Sequence, residues 1–404
     1  MASNFSSRRQ SLRGLWTRLF AMLLGAALST ALIMGMQLPL LHPTSHAELT
    51  LRVSSQAPAS LAWPQSGSAA LLVPSLGVTL TRDNHVMPIA SLTKMMTTYV
   101  VLKKLPLAIG QTGPCLTVSA NDVATYQAMI QTDQSNALVS VGEQLCEFDL
   151  LDGLLVHSAN NYSVLLANMV AGSTANFVAL MNQTAASLGF VGTHYVDTSG
   201  YDPGSVSTAL DQGLLAQRLM KSPLVRSIVS QTSVTLPVAG TVGSYTPYVG
   251  FDHVIGVKSG RTSAAGGCDV MAMQFLDGTS LRTVYSVVLD QRGGDLLGPA
   301  GDAALALAQS AVAGERTLEF AKGRVVGRLG WTQTVPVVVG RASSFHWWPV
   351  QGNFPVTARL GHFTTTVRRG QRVGWLFVRA TKLTRIPLVA SATISPPSLW
   401  QRLR

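Results

Sequence analysis

The stretch Pro88-Ile89-Ala90-Ser91-Leu92-Thr93-Lys94-Met95-Met96-Thr97-Thr98-Tyr99-Val100-Val101-Leu102-Lys103-Lys104 decides how the rest of the chain is read. Leu92, Met95, Met96, Tyr99 and Leu102 recur at helical spacing, and two lysines close the run where the helix dipole is negative. That pattern predicts a buried helix beginning at Ser91. Ser91 and Lys94 stand at i and i+3 and share one face, so the amine reaches the hydroxyl. A free serine hydroxyl is a poor nucleophile near neutral pH, and a desolvated lysine close to another cation loses its own proton readily enough to take the serine's. Alone, S-x-x-K also describes a capping serine and a solvated lysine.

Two further motifs follow in order. Ser158-Ala159-Asn160 begins 67 residues after Ser91, between two helical runs, and supplies a hydroxyl and an amide close together. Lys258-Ser259-Gly260 starts 98 residues beyond Asn160, at the end of a predicted strand, with small residues that admit a substrate backbone along the strand edge.

Around these motifs the chain alternates strand-like and helical segments. Residues 69–73 and 78–81 read as a hairpin across Pro74-Ser75-Leu76-Gly77. Residues 149–219 are mostly helical, with Thr174 as an N-cap and Gly189 as a stop, and a further helix over 208–221 ends at Pro223. Strand-like runs return at 254–258, 270–275 and 283–289, before an alanine-rich helix over 300–313. Strands at both ends enclosing helices predict an α+β domain over 68–315. Residues 322–394, Val-rich with Gly and Pro punctuation, predict a small all-β domain, and 395–404 a tail. Residues 46–67, rich in Ser, Ala, Gln and Pro, read as a linker.

The motifs and their flanks resemble the serine D-alanyl-D-alanine carboxypeptidases, the low-molecular-mass penicillin-binding proteins. The likeness rests on residues 88–97, on Phe177, Met181-Asn182, Leu188-Gly189 and Ser207-Thr208-Ala209, and on Gly256-Val257-Lys258-Ser259-Gly260-Arg261-Thr262 with Ala265-Gly266-Gly267-Cys268. It covers residues 68–315 well and the β domain loosely. It implies a β-lactamase-like α+β fold, an antiparallel sheet flanked by helices plus a helical subdomain, and the trimming of peptidoglycan pentapeptides ending in D-Ala-D-Ala through an acyl-enzyme, with penicillins as covalent inhibitors. By position, Ser91 would be the nucleophile and Lys94 its base. Ser158, Asn160 and Lys258 would complete the proton-shuttling and orienting network, and the backbone N–H groups of Ser91 and Arg261 the oxyanion hole. Ser259 and Gly260 would line the substrate strand. No cofactor or metal is implied.

Departures are specific. Lys-Ser-Gly replaces the usual Lys-Thr-Gly and keeps the hydroxyl. Asn161 stands where an aspartate commonly follows the second motif. Arg292 is the nearest candidate for the arginine that holds the substrate carboxylate. A β-lactamase shares the three motifs, yet no glutamate occurs between Glu147 and Glu315 to activate a deacylating water. A G-x-S-x-G elbow and an H-E-x-x-H zinc motif are both missing, and His157 is the nearest rival base. The reading from another class is a non-catalytic wall-binding or scaffold protein on the same fold.

Composition places this chemistry. The 404 residues are 47% hydrophobic and only 12% charged, which excludes a disordered chain or solvated coiled coil. Three cysteines without a C-x-x-C pair exclude a zinc ribbon and a dithiol redox site. The net charge of +11 is unevenly spread: four arginines and no acid in residues 1–18, an excess of acid in 19–321, and 13 basic residues with no acid in 322–404. The uncharged run over 19–41 behind those arginines predicts a signal-anchor, or a signal peptide cleaved after Ala47. Ser7-Arg8-Arg9-Gln10-Ser11-Leu12-Arg13 also resembles a twin-arginine signal. Either route predicts an extracytoplasmic protein, anchored to the bacterial membrane or secreted, with no nucleic-acid partner. The basic end, interleaved with five tryptophans, is expected to meet anionic lipid or acidic wall polymer.

Overall fold

The computed structural model describes residues 22, 44–49, 60–277, 280–313, 316–348, 350, 356–379, 383–398 and 401. The basic cluster over 1–18 and the greater part of the apolar run over 19–41, with the export and anchoring expectations they carry, lie outside them. The chain divides into two compact units, one drawn from Met1–Ser55, Thr317–Phe345 and Phe354–Arg404, the other from Gln56–Arg316 and His346–Asn353.

Where a linker was expected, His46–Leu49 (β1) is a strand, paired antiparallel with β7 (Val325–Gly330) in the register His46 to Gly330. Nothing local marks it as one, since it is four residues long and exposed throughout. Its partner supplies the ladder that its own sequence does not request.

The motif-bearing unit is built on a five-stranded antiparallel sheet. Its strands are β2 (Ser68–Val73), β3 (Val78–Arg82), β4 (Val254–Thr262), β5 (Gly266–Asp277) and β6 (Ser280–Gln291), in the order β4-β5-β6-β2-β3. Every residue of β2 is buried. The alternation of a strand explains this: Ala70 and Leu72 enter one core with Val270, Ala272 and Val287, while Ala69, Leu71 and Val73 enter another with Met271, Val288 and the alanines of the C-terminal helix. Both faces are thus covered, and β2 reads as a continuous apolar run.

The first core holds the helices. These are α1 (Thr93–Lys104), α2 (Ala120–Ile130), α3 (Glu147–Leu155), α4 (Asn160–Ala171), α5 (Thr174–Ser187), α6 (Ala209–Leu219) and α7 (Pro223–Val229). Caps mark several starts: Ser173, Thr208 and Ser222 each accept a backbone N–H of the first turn. Thr174, expected as a cap, is instead the first helical residue, one position after Ser173. α8 (Leu297–Val312) covers the other face of the sheet through Ala300, Ala304, Leu307, Ala308 and Ala311. Small side chains let this helix lie close to the strands. A disulfide joins Cys115 and Cys146 on a short strand pair in front of α3, and Cys268 is free and buried.

The second unit contains a six-stranded antiparallel sheet of β1, β7, β8 (Thr334–Val339), β9 (Val356–Leu360), β10 (Arg372–Arg379) and β11 (Leu383–Ala390), in the order β1-β7-β8-β11-β10-β9. One face carries its own core of Val326, Leu329, Val337, Leu376, Val378, Ile386 and Leu388. The segment His346–Asn353, expected within the basic β domain, groups instead with the motif-bearing unit. There Trp348, 1% exposed, packs edge-on against Phe275 with ring centroids 5.5 Å apart.

Candidate active site

Ser91 sits in the 3-10 turn Ala90–Leu92 that leads into α1. Ala90 has a φ of 45°, a costly left-handed conformation for a residue with a Cβ, and it is held there by what packs around it. Gly200, itself at φ 81°, lies so close that a Cβ would overlap the Ala90 carbonyl. Lys94, one turn on, is fully buried, and its Nζ donates to Ser91 Oγ at 2.7 Å and to the Ser199 carbonyl at 3.0 Å. Burial, reinforced by the Lys258 cation, holds the Lys94 amine well below its usual pKa, while Asp197 pulls the other way. A lysine so placed reaches the neutral form in which it accepts a proton.

Asp197 was not found from sequence. Its carboxylate accepts from the backbone N–H groups of Gly200 and Tyr201, each at 2.9 Å to Oδ2, and from the hydroxyls of Ser199 and Ser205. It therefore shapes the loop whose carbonyl receives Lys94. Asp197-Thr198-Ser199-Gly200 reads as an aspartate-initiated turn, a signal visible in sequence but common to many surface loops.

Ser158 lies between α3 and α4 with a φ of 59° and lines the cleft, and Asn160 opens α4. The Asn160 amide nitrogen donates to Gln134 Oε1 at 2.7 Å, whereas its Oδ1 is buried with no partner. An acceptor left open at a cleft wall suits an incoming N–H donor. Asn161 clasps the backbone of Ala137 at both ends: Nδ2 donates to the carbonyl at 2.8 Å and Oδ1 accepts the N–H at 3.1 Å. A carboxylate has no donor for the first bond, so the departure at this position is matched by its surroundings. His157 shares its Nδ1 with the Gly243 carbonyl at 3.1 Å and stacks on Tyr245.

Lys258, Ser259, Gly260 and Arg261 lie on β4, the edge strand beside the cleft. An edge strand keeps one row of backbone donors and acceptors open for another chain. Lys258 is fully buried, its Nζ donates to the Ser259 carbonyl at 2.8 Å, and burial pushes its pKa down to about 7. Asp269, on β5 directly opposite Ser259, is equally buried, and both its carboxylate oxygens are without hydrogen-bond partners among the described residues. Burial raises it to about 8, and its attraction to Lys258 opposes both shifts. The Ser259 hydroxyl donates to the Tyr245 carbonyl at 2.8 Å. At Gly260 a Cβ would stand 2.4 Å from the Ser91 backbone nitrogen, so only glycine lets β4 press against the nucleophile turn.

Ser91, Asn160 and Arg261 line a cleft of about 540 Å³ together with Gln134, Tyr201 and Thr262, and Ser158, Ser259 and Gly260 line an adjoining recess of about 120 Å³. Ser91 and Arg261 belong to both. Arg292, expected to hold a substrate carboxylate, is not among the lining residues. Its guanidinium donates to the carbonyls of Ser263 and Ala264 at 2.9 and 3.2 Å and pairs with Asp290, which clamps the turn between β4 and β5. Arg261 does line the cleft, and its guanidinium donates to the Asp295 carbonyl at 3.3 Å.

The sequence profile of the D-alanyl-D-alanine carboxypeptidase family (peptidase S11) matches residues 65–293. D-alanyl-D-alanine carboxypeptidase DacC of Escherichia coli is 36% identical over 132 residues, 32% of this chain and 33% of that protein. A D-alanyl-D-alanine endopeptidase of Pseudomonas aeruginosa is 33% identical over 222 residues, covering 51% of this chain and 66% of the relative. The matched regions thus span one third to two thirds of these relatives. Penicillin-binding protein 5 of Haemophilus influenzae shares the fold with a TM-score of 0.57 at 21% identity, over 85% of this chain and 99% of that one. The Streptomyces K15 DD-transpeptidase superposes with a TM-score of 0.52 over 64% of the chain and 98% of its own, at 22% identity. Family profile, fold and the arrangement around Ser91 agree: this chain belongs to the D-alanyl-D-alanine carboxypeptidase family of serine peptidases.

Proposed function

We propose that the chain is a serine D-Ala-D-Ala carboxypeptidase that trims peptidoglycan pentapeptide stems. The observation that carries the reading is the fully buried Lys94 amine, 2.7 Å from the Ser91 hydroxyl. In its neutral form Lys94 takes the hydroxyl proton as Ser91 Oγ attacks the carbonyl of the penultimate D-alanine. Negative charge builds on that oxygen and meets the N–H groups of Ser91 and Arg261. The substrate backbone lies along β4, and Asn160 Oδ1 accepts a substrate amide N–H. The peptide C–N bond then breaks, the leaving nitrogen takes the proton through the hydroxyl of Ser158, and D-alanine departs. Water attacks the ester, Lys94 accepts its proton, and Ser91 is restored with the shortened peptide released. Arg261, which lines the cleft, takes the terminal carboxylate in place of Arg292, exchanging its bond to the Asp295 carbonyl for it.

β-Lactams enter the same cycle as slowly hydrolysed acyl donors, consistent with the lack of a glutamate over 148–314. The longer match to an endopeptidase supports a second reading, cleavage of the same kind of bond in cross-linked stems, where a different amine leaves. The disulfide and the N-terminal sequence support an extracytoplasmic enzyme held by residues 19–41. Among the described residues no single helix is long and apolar enough to cross a membrane.

The test has two parts. Purified protein incubated with a D-Ala-D-Ala pentapeptide should release D-alanine, and fluorescent penicillin should label wild type but not Ser91→Ala. A folded protein that does neither removes the proposal. D-Alanine-free cleavage of cross-linked dimers alone selects the endopeptidase reading.

A further inference from the structure

The outer face of the strands β9, β10 and β11 carries a cluster that catalysis does not use. Side chains alternate across these strands: Leu376, Val378, Ile386 and Leu388 point into the core, and Arg359, Trp375, Phe377, Arg379 and Arg385 point away from it. Two arginines flank one ring, with Arg359 at 5.8 Å and Arg385 at 5.9 Å from the Phe377 centroid. Arg372 lies 4.7 Å from the centroid of Trp375. The register explains the sandwich, since Phe377 on the middle strand is opposite Arg385, and Arg359 is opposite Trp375.

Stacking on a ring holds a guanidinium in place while leaving its N–H edges free. None of the side chains of Arg359, Arg372, Arg379 and Arg385 has a hydrogen-bond or ion-pair partner among the described residues. No Asp or Glu occurs in 322–404 to supply one. The ion pairs at Arg82, Arg282 and Arg292 lie in the other unit. A row of positioned, unsatisfied forks is complementary to oxyanions presented in series. Strand spacing sets about 10 Å between the β9 and β11 backbones, and about 7 Å separates successive outward positions along β10.

We infer that this face binds a linear anionic wall polymer, one whose phosphodiester or carboxylate groups repeat along the chain, and so holds the enzyme against its substrate layer. A polymer fits better than a bilayer because Trp375 and Phe377 are half-buried beneath their own arginines, whereas a membrane-seeking face projects its aromatic groups. The inference goes beyond the catalytic proposal and shares only its extracytoplasmic setting.

The test uses the full chain in detergent. Its affinity is measured for an immobilised poly(glycerol phosphate), a polyglutamate, a neutral dextran, and anionic and neutral vesicles, at two salt concentrations. We expect salt-sensitive binding to at least one of the two polyanions and none to dextran. Arg359→Gln with Arg385→Gln should weaken it at least tenfold. Arg324→Gln with Arg341→Gln, outside the three strands, should change it less than threefold. Penicillin labelling of Ser91 reports folding of the motif-bearing unit, and the calorimetric transition of the β-rich unit reports its own folding, in each variant; neither depends on polymer binding. Binding to neither polyanion, equal losses in both double variants, or a stronger preference for anionic vesicles would each overturn the inference.

Discussion

At Lys94 the structure asks one amine to be both buried and proton-accepting. Lys94→Ala should lower penicillin acylation by about three orders of magnitude or more with little change in fold, since nucleophile and base act as a unit. Lys94→Arg should recover little, because a guanidinium stays protonated at any working pH. Acylation in the wild type should fall as pH drops through the depressed Lys94 value, where the amine gains a proton it must then lose. Stopped-flow labelling against pH checks both statements, and near wild-type rates in Lys94→Arg would assign the base elsewhere. Glu147 gives a separate pH signature. It is 1% exposed, both its oxygens lack hydrogen-bond partners among the described residues, and burial raises it from 4.5 to about 7. Between those values the folded state holds a proton that the unfolded state has released, so stability falls as pH rises across the window and levels off above it. Glu147→Gln should flatten that fall and leave the protein roughly 1–3 kcal/mol more stable than wild type at pH 8. Denaturant midpoints at pH 5 and pH 8 measure it.

Among the elements, β4 matters most, because it is at once a sheet edge, the carrier of Lys258 and the wall pressed against Ser91. Gly260→Val should abolish acylation while the other strands keep the unit folded, as the new side chain needs space that the Ser91 backbone nitrogen occupies. Loss of labelling with an unchanged circular dichroism spectrum is the expected pair of results. Two arginines look interchangeable in sequence, Arg261 on β4 and Arg292 directly after β6. Arg261→Ala should raise KM for a D-Ala-D-Ala peptide at least tenfold through loss of carboxylate binding. Arg292→Ala should act through the turn it clamps, lowering thermal stability with a smaller change in KM. Equal KM effects would return Arg292 to the substrate.

For the molecule as a whole, the boundary between units does not follow chain order. Residues 346–353 return to the motif-bearing unit, and Trp348 fills its second core beside Phe275. Trp348→Ala should therefore cost about 3–5 kcal/mol, and the loss should appear in the transition that also ends penicillin labelling. Calorimetry with labelling at intermediate temperatures distinguishes this from unfolding confined to the β-rich unit. The same contrast marks the limit of sequence reading here. Ser91, Lys94, Ser158, Asn160 and Lys258 were legible because their chemistry is carried by short motifs whose spacing, order and local period are properties of neighbouring residues. The helix at Ser91, the β2–β3 hairpin and the alanine-rich α8 were legible for the same reason. What the sequence could not state is which groups face one another after tens or hundreds of residues of intervening chain. Only the closed fold set Asp269 opposite Ser259, shaped the Ser199 carbonyl with Asp197, tied Arg292 to the carbonyls of Ser263 and Ala264, and gave His46–Leu49 a partner strand. Each is a pairing across space, and its energy exists only once both surfaces have been brought together and dried.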